Sequence, residues 1–315
     1  MKYIASLREG ERVSEIYLCK TRQVARSKIG KTYYSLSLQD KTGLIDAKIW
    51  ELSGGIDHFE ALDYVKVDGD VTSFQGAPQL NVRRLRVASA GEFDPADYLP
   101  VSEKGIDQMY GELLNYIKTM KNQALRTLAE KFFVEDAEFI EVFKGHSAAK
   151  TIHHGFVGGL LEHTLSVVKL CDFYCGQYPL LKRDLLIGAA LFHDIGKTRE
   201  LSAFPQNDYT DEGQLLGHIV IGTIMLEEKL RDIPNFPKKL ASELEHCILA
   251  HHGEYEYGSP KKPALAEALA LNFADNLDAK MQTLKELFAG KAGEDGWLGF
   301  NRLLDSNVRR TSELE

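Results

Sequence analysis

Nine of the ten histidines in this 315-residue chain fall between His146 and His252; only His58 lies outside that stretch. In and just beyond it, His163, His193-Asp194, His218, His251-His252 and Asp275 are the residues whose types suit metal ligation. A His-Asp pair means little alone, since 10 His and 20 Asp among 315 residues yield about 0.6 such pairs by chance. Two His-His pairs, His153-His154 and His251-His252, are less expected, at about 0.3. Context carries more weight: His193-Asp194 ends the apolar run Leu185–Phe192 and continues as Ile195-Gly196-Lys197. Imidazole and carboxylate donors without thiolate suit Mn, Fe, Ni or Zn rather than a structural cysteine-zinc site. Asp194 is the natural bridge, because one carboxylate can hand an oxygen to each of two ions. Two such ions about 3.5–4 Å apart activate water and clamp the attacking and leaving oxygens of an in-line phosphoryl displacement. Lys197, one turn beyond Asp194, is the candidate catalytic cation that neutralises a phosphate oxygen. The expected cofactor is therefore a divalent transition metal, as two ions. His246 and His58 have no such context and read as ordinary core or surface residues.

Ligands drawn from positions so far apart need rigid elements to bring them together, and a helical bundle does this by delivering one or two side chains per helix. From Ile106 onward the spacing is helical: Ile106, Tyr110, Leu113, Ile117 and Met120 form one apolar stripe, and Leu125, Leu128 and Phe132 another. Further helices are expected near Gly159–Tyr174, Leu180–His193, Leu216–Leu230, Ala241–His251 and Ala264–Leu287, giving an all-α bundle over 105–315. Residues 11–87 follow a period of two instead. Leu36 and Leu38 alternate with Ser35 and Ser37, Ile45, Ala47 and Ile49 with Asp46 and Lys48, and Val65, Val67 and Val71 with Lys66, Asp68 and Asp70. Five short strands with a helical stretch expected at Gly55–Leu62 predict an OB-type β-barrel over 1–90. The segment 91–104, with Gly91, Pro95 and Pro100, reads as the linker.

The whole chain carries 38 basic and 46 acidic residues, a formal charge of -8 that by itself disfavours nucleic acid. The total conceals an asymmetry. Residues 1–92 hold 14 basic and 12 acidic residues, while 93–315 hold 24 and 34. Small barrels of this kind hold single strands by stacking bases on aromatic rings and pairing cations with phosphates. Tyr33, Trp50 and Phe74 are the candidate platforms, and Lys20, Arg22, Lys31, Arg84 and Arg86 the candidate phosphate contacts. The composition excludes a disordered chain, and no run of about 18 apolar residues suggests a membrane span. Four cysteines without a Cys-x-x-Cys pair and a start lacking a signal-peptide pattern point to a cytoplasmic protein. The Gly-Lys-Thr strings at Gly30 and Gly196 are not phosphate loops, because Ala25 and Leu191 stand where the earlier glycine is needed.

The set His163, His193-Asp194, His218, His251-His252 and Asp275, with the strings Gly158-Gly159-Leu160-Leu161-Glu162-His163-Thr164 and His193-Asp194-Ile195-Gly196-Lys197, resembles the HD superfamily of metal-dependent phosphohydrolases. Adding the N-terminal barrel, the stretch His251 to Pro260 and Ala274-Asp275-Asn276-Leu277-Asp278-Ala279, the chain looks like the YhaM-type 3′→5′ exoribonucleases over nearly its whole length. The resemblance implies His163, His193, Asp194 and Asp275 on one metal, and His218 and His251 on a second that shares Asp194. His252 is either a further ligand or a substrate contact; His153 and His154 are candidates for the same roles at the mouth. Asp278, one turn after Asp275, is expected to support the site from behind, with an exchange of roles with Asp275 as the alternative. The cyclic-dinucleotide branch carries Gly-Tyr-Pro after its histidine pair, whereas this chain has Tyr257-Gly258-Ser259-Pro260.

These readings combine into a metal-dependent 3′→5′ exonuclease that hydrolyses single-stranded RNA, and DNA as a second substrate, to nucleoside 5′-monophosphates. Two alternatives stand beside it: a phosphohydrolase of free nucleotides or nucleotide second messengers, and a non-enzymatic RNA-binding adaptor with a structural metal. No membrane partner is expected, and a homo-oligomer is left open.

Overall fold

The computed structural model describes residues 1–27, 30–52, 54–74, 76–150, 154–290 and 296–312. His153, one of the candidate contacts, lies outside them. The chain divides into two compact units, Met1–Val101 and Ser102–Glu315.

The first unit is a closed barrel of β1 (Arg12–Arg26), β2 (Thr32–Asp40), β3 (Gly43–Ile49), β4 (Tyr64–Phe74) and β5 (Ala77–Val87), in the order β1-β2-β3-β5-β4. The 15-residue β1 serves two neighbours, pairing with β4 over its first half and with β2 after a bulge between Cys19 and Thr21. β3 and β5 close the ring in parallel. The period of two is realised in the burial: Leu36, Leu38, Ile45, Ala47, Ile49, Val65, Val67 and Val71 all point inward and are buried. The helix expected at Gly55–Leu62 does not form. Ile56 instead bridges Leu85 of β5 in parallel, Asp57 N donates to Leu85 O at 2.9 Å, and Phe59 is buried against the barrel core. Ladder bonds and a core anchor outcompete local helical bonding over so short a stretch.

Much of the expected linker packs on the barrel. Phe93 stacks on Tyr64 with ring centroids 3.9 Å apart, Tyr98 is buried edge-on to both, and Asp97 accepts from Tyr3 Oη and Lys41 Nζ, each at 2.8 Å. Three aromatic rings supplied more burial than the proline and glycine content suggested.

The second unit is helical: α1 (Ile106–Thr119), α2 (Gln123–Glu130), α3 (Ala137–Gly145), α4 (Gly159–Gln177), α5 (Arg183–Phe192), α6 (Lys197–Glu200), α7 (Asp211–Arg231), α8 (Lys238–Leu249) and α9 (Ala266–Gly290). Helices α4 and α5 are its centre. Gly159–Leu165 and Leu185–Phe192 are buried on every side; the second is apolar all round, as a buried helix should be, while the first carries Glu162, His163 and Thr164 into the interior. Helix α7 starts earlier than its apolar pattern suggested, because Thr210 Oγ1 accepts from Gly213 N at 2.9 Å and caps it. A two-stranded hairpin, β6 (Trp297–Asn301) and β7 (Ser306–Arg309), follows the bundle and was not foreseen. Its strands are only 5 and 4 residues long, too short for alternation to register.

Candidate metal centre and nucleic-acid surface

Five elements contribute to the site around Asp194. His163 comes from the second turn of α4, His193 and Asp194 from the end of α5, His218 from α7, His251 and His252 from the turn after α8, and Asp275 from α9. Asp194 divides its carboxylate between two groups. Its Oδ2 faces His163 Nε2 at 3.3 Å and His193 Nε2 at 3.4 Å; its Oδ1 faces His218 Nε2 at 3.5 Å and His251 Nε2 at 3.8 Å. Asp275 Oδ1 joins the first group, 3.2 Å from His163 Nε2, and His252 lies with the second. Lys197 Nζ sits 2.6 Å from Asp194 Oδ2.

The five rings share one orientation. Each turns Nδ1 to an acceptor: Asp278 Oδ2 for His163 (2.7 Å), Ala190 O for His193 (2.8 Å), Glu200 Oε1 for His218 (3.0 Å), Ile248 O for His251 (2.7 Å) and Tyr257 O for His252 (2.7 Å). Donation through Nδ1 leaves Nε2 as the lone-pair nitrogen in a neutral ring, and outer acceptors of this kind set the tautomer of metal-binding histidines.

Two backbone features bring α7 this close. A Cβ on Gly196 would sit 2.0 Å from His218 O, so only glycine lets the turn after Asp194 lie against α7. Gly217 then breaks α7 with φ 73° and ψ 155°, freeing the His218 N–H to donate to Glu200 Oε1 at 2.9 Å. One carboxylate oxygen thus holds both the backbone and the ring of His218.

The polar balance fits divalent ions. Asp194 Oδ1, His218 Nε2 and His251 Nε2 are buried and have no hydrogen-bond partner, a cost of about 1–3 kcal/mol each unless something binds them. On the other side, His163 Nε2 and His193 Nε2 approach to 3.1 Å, roughly the spacing of two nitrogens each about 2.0–2.1 Å from one ion. Burial opposes a charged His163, but Asp194, Asp275 and Asp278 outweigh it and hold its pKa well above the usual imidazole value. Burial likewise opposes ionised Asp194, yet Lys197 and His193 hold it well below the usual carboxylate range. His251 and His252 are pushed down by burial and by neighbouring rings, which favours the neutral, ligating form. Where carboxylates crowd a ring, the site calls for cations; where rings crowd each other, it offers lone pairs.

The sequence candidates His163, His193, Asp194, His218, His251, Asp275 and Lys197 all meet here, with His252 beside them. His154 does not stand at the mouth. It is buried behind His163, with Nε2 3.0 Å from Asp278 Oδ2, so it helps fix that carboxylate and has no face for substrate. Ser166 Oγ also donates to Asp278. Glu200 and Ser166 carried no sequence signal, since each is an ordinary residue until the fold sets it against its partner. Tyr257, 66% exposed just after the histidine pair, is a further neighbour of the site through its backbone carbonyl, which faces His252 Nδ1.

On the barrel, Tyr33 and Trp50 stack with centroids 4.5 Å apart, and Trp50 Nε1 donates to Asn81 Oδ1 at 3.1 Å. Trp50 is 42% exposed, so the pair presents an aromatic surface to solvent. Lys31, at 3.7 Å from Glu51, is near it in sequence and loosely held. Phe74 is exposed at the end of β4, Arg84 is exposed on β5, and Lys20 is half-buried. Arg22 departs from its expected role. Its Nη1 donates to Phe59 O at 2.8 Å and Glu60 Oε2 at 2.7 Å while the group lies over the Tyr34 ring, so it buttresses the barrel wall. Arg86 is held by both oxygens of Glu92 at 2.7 Å. An arginine read as free from sequence is spent wherever the fold sets a carboxylate opposite it.

Residues 160–280 match the family model of the HD domain. The helical unit therefore carries an HD domain, the fold of a metal-dependent phosphohydrolase superfamily, and follows the OB-like barrel in the chain. Among solved structures, the p204 HINb domain is 20% identical with a TM-score of 0.23, covering 27% of this chain and 46% of that one. A replication protein A heterotrimer bound to single-stranded DNA is 21% identical with a TM-score of 0.21, covering 27% and 62%. The second OB-fold domain of replication protein A from Methanococcus maripaludis is 18% identical with a TM-score of 0.21, covering 29% and 96%. TM-scores of this size say nothing about what this chain binds; its barrel is defined by its own strand order.

Proposed function

We propose that the protein is a metal-dependent exonuclease that removes nucleotides from the 3′ end of single-stranded RNA, and of single-stranded DNA, releasing nucleoside 5′-monophosphates. The observation that carries the reading is the divided carboxylate of Asp194, with imidazole nitrogens gathered at each oxygen and three of these buried atoms lacking any partner. His163, His193, Asp194 and Asp275 would hold one divalent ion, and His218, His251 and Asp194 another, with His252 at its edge. Ions there supply Lewis-acid polarisation of the phosphodiester and a water activated at neutral pH. Lys197, 17% exposed and held against Asp194, keeps a positive charge at the rim where it takes an oxygen of the scissile phosphate. The barrel binds the strand through the Tyr33–Trp50 surface and keeps its end at a raised local concentration for the helical unit. Polarity and product follow from the resemblance to YhaM-type enzymes.

The test is digestion of 5′-labelled single-stranded RNA, single-stranded DNA and duplex by the full chain, with Mn²⁺ or another divalent ion and with chelator. The expected result is a metal-dependent ladder of shortening products on single strands. Asp194→Asn should lower the rate by about 10³-fold or more, the scale of several kcal/mol of charge stabilisation, with strand binding retained. Intact oligonucleotides under every metal, or Asp194→Asn matching wild type, would overturn the proposal. Hydrolysis confined to free nucleotides would favour the mononucleotide alternative.

A further inference from the structure

Helix α9 turns Asp275 and Asp278 toward the histidines on one side, and on its other side a row of apolar residues is exposed among the described residues. Leu269, Phe273, Leu277 and Met281 recur every four residues and are 48%, 59%, 43% and 56% exposed. Tyr178 and Leu180, just past the end of α4, are 56% and 64% exposed. Five of these six line one open groove of about 530 Å³, and Met281 extends the row by a turn. At about 200 Å² per large side chain, the six together expose roughly 650 Å² of apolar surface. The largest such patch on a typical monomer is about 300–600 Å² and is often functional.

We propose that this face docks a second copy of the chain through a two-fold contact of α9 on α9. Three features select that occupant. The row contains no charge at any of its four positions, so like meets like without repulsion. A two-fold centred on the row sets Phe273 of each copy against Leu277 of the other, so one surface satisfies itself. Rows at i, i+4, i+8 interdigitate with an identical row at a crossing near −50°, the commonest helix packing, which leaves Leu269 and Met281 for the flanks. The exposed area is already close to the about 800 Å² per partner of a standard interface. The consequence for the metal centre is direct: the helix bearing Asp275 and Asp278 is clamped from both sides. This inference does not depend on the reaction proposed above.

Light scattering on the full chain at tens of micromolar tests it, with circular dichroism to confirm folding. Wild type should show the mass of two chains or an even multiple. Phe273→Glu combined with Leu277→Glu should lower that mass twofold or more while keeping its helical signal. If the double variant loses helical signal, Leu269→Arg is read in its place with the same expectation. Phe300→Glu, at a 61% exposed position in the C-terminal hairpin, should leave the mass unchanged. A single-chain wild type, an assembly that survives these α9 substitutions, or one that Phe300→Glu splits would overturn the proposal.

Discussion

Glu200 offers the most demanding test of the metal centre, because among the described candidate ligands it touches His218 alone. Its Oε1 accepts both the backbone N–H and the ring Nδ1 of that residue, at 2.9 and 3.0 Å, and the carboxylate is only 12% exposed. Glu200→Ala removes the carboxylate whose Oε1 serves both, and strands two donors. The backbone N–H sits at the Gly217 break, where no helical carbonyl replaces the lost acceptor, so about 1–3 kcal/mol of stability is lost. For a unit of this size that lowers the melting temperature by about 2–4 °C per kcal/mol. The freed ring can then rotate or change tautomer. Loss of such an outer partner typically costs about 10–100-fold in metal affinity, or about 1.4–2.7 kcal/mol. The loss should fall on one ion only, since His163, His193 and Asp275 keep their own partners. Titration of the metal-free full chain with Mn²⁺ by calorimetry should resolve two binding steps, of which Glu200→Ala weakens one. Glu200→Gln, which keeps a carbonyl oxygen without the charge, should recover part of the affinity. Both affinities within twofold of wild type, or equal weakening of both steps, would refute the reasoning.

Two further outcomes follow from other parts of the molecule. Trp50→Ala should weaken binding of single-stranded RNA by about 5- to 150-fold, matching about 1–3 kcal/mol for one stacked base, with metal-dependent cleavage of a dinucleotide unchanged; equal binding by fluorescence anisotropy would place the strand elsewhere. Glu245 shares a hydrogen bond with Glu227, which with burial and their mutual repulsion raises its pKa from 4.5 to about 7. A raised carboxyl holds its proton better folded than unfolded, so the stability it contributes is full below pH 4.5 and is lost as pH rises through 7. Glu245→Gln should therefore raise the melting temperature more at pH 8 than at pH 5, and a difference that ignores pH would contradict the pairing.

The barrel was legible because β2, β3 and β4 alternate apolar and polar residues for long enough to register. The stretch at Gly55–Leu62 was not, since its conformation is decided by bonds to Leu85, some 30 residues on in the chain. The candidate ligands could be picked out by type and spacing, but their supports could not. Glu200 is one acidic residue among 46, and nothing local distinguishes it from Glu212, which pairs with Arg199 on the surface. His154 looked as eligible as His252 until the fold buried one behind Asp278 and left the other half-exposed beside His218. Arg22 and Arg86 read as phosphate contacts because their carboxylate partners are chosen by strand pairing and loop return, not by sequence neighbours.

By itself the sequence determined which donors exist, in what order, and on which local period they ride, because backbone sterics tie side-chain direction to 3.6 or 2 residues per repeat. It also separated a mildly basic β half from an acidic, histidine-rich α half. Only the tertiary structure decided that one oxygen of Asp194 belongs to His163 and His193 and the other to His218 and His251. That division depends on helix packing and on backbones touching at Gly196, across separations of 24 to 57 residues from Asp194 to His218 and His251. Over such lengths the chain is too flexible to set a distance to within an ångström; the packed core does so.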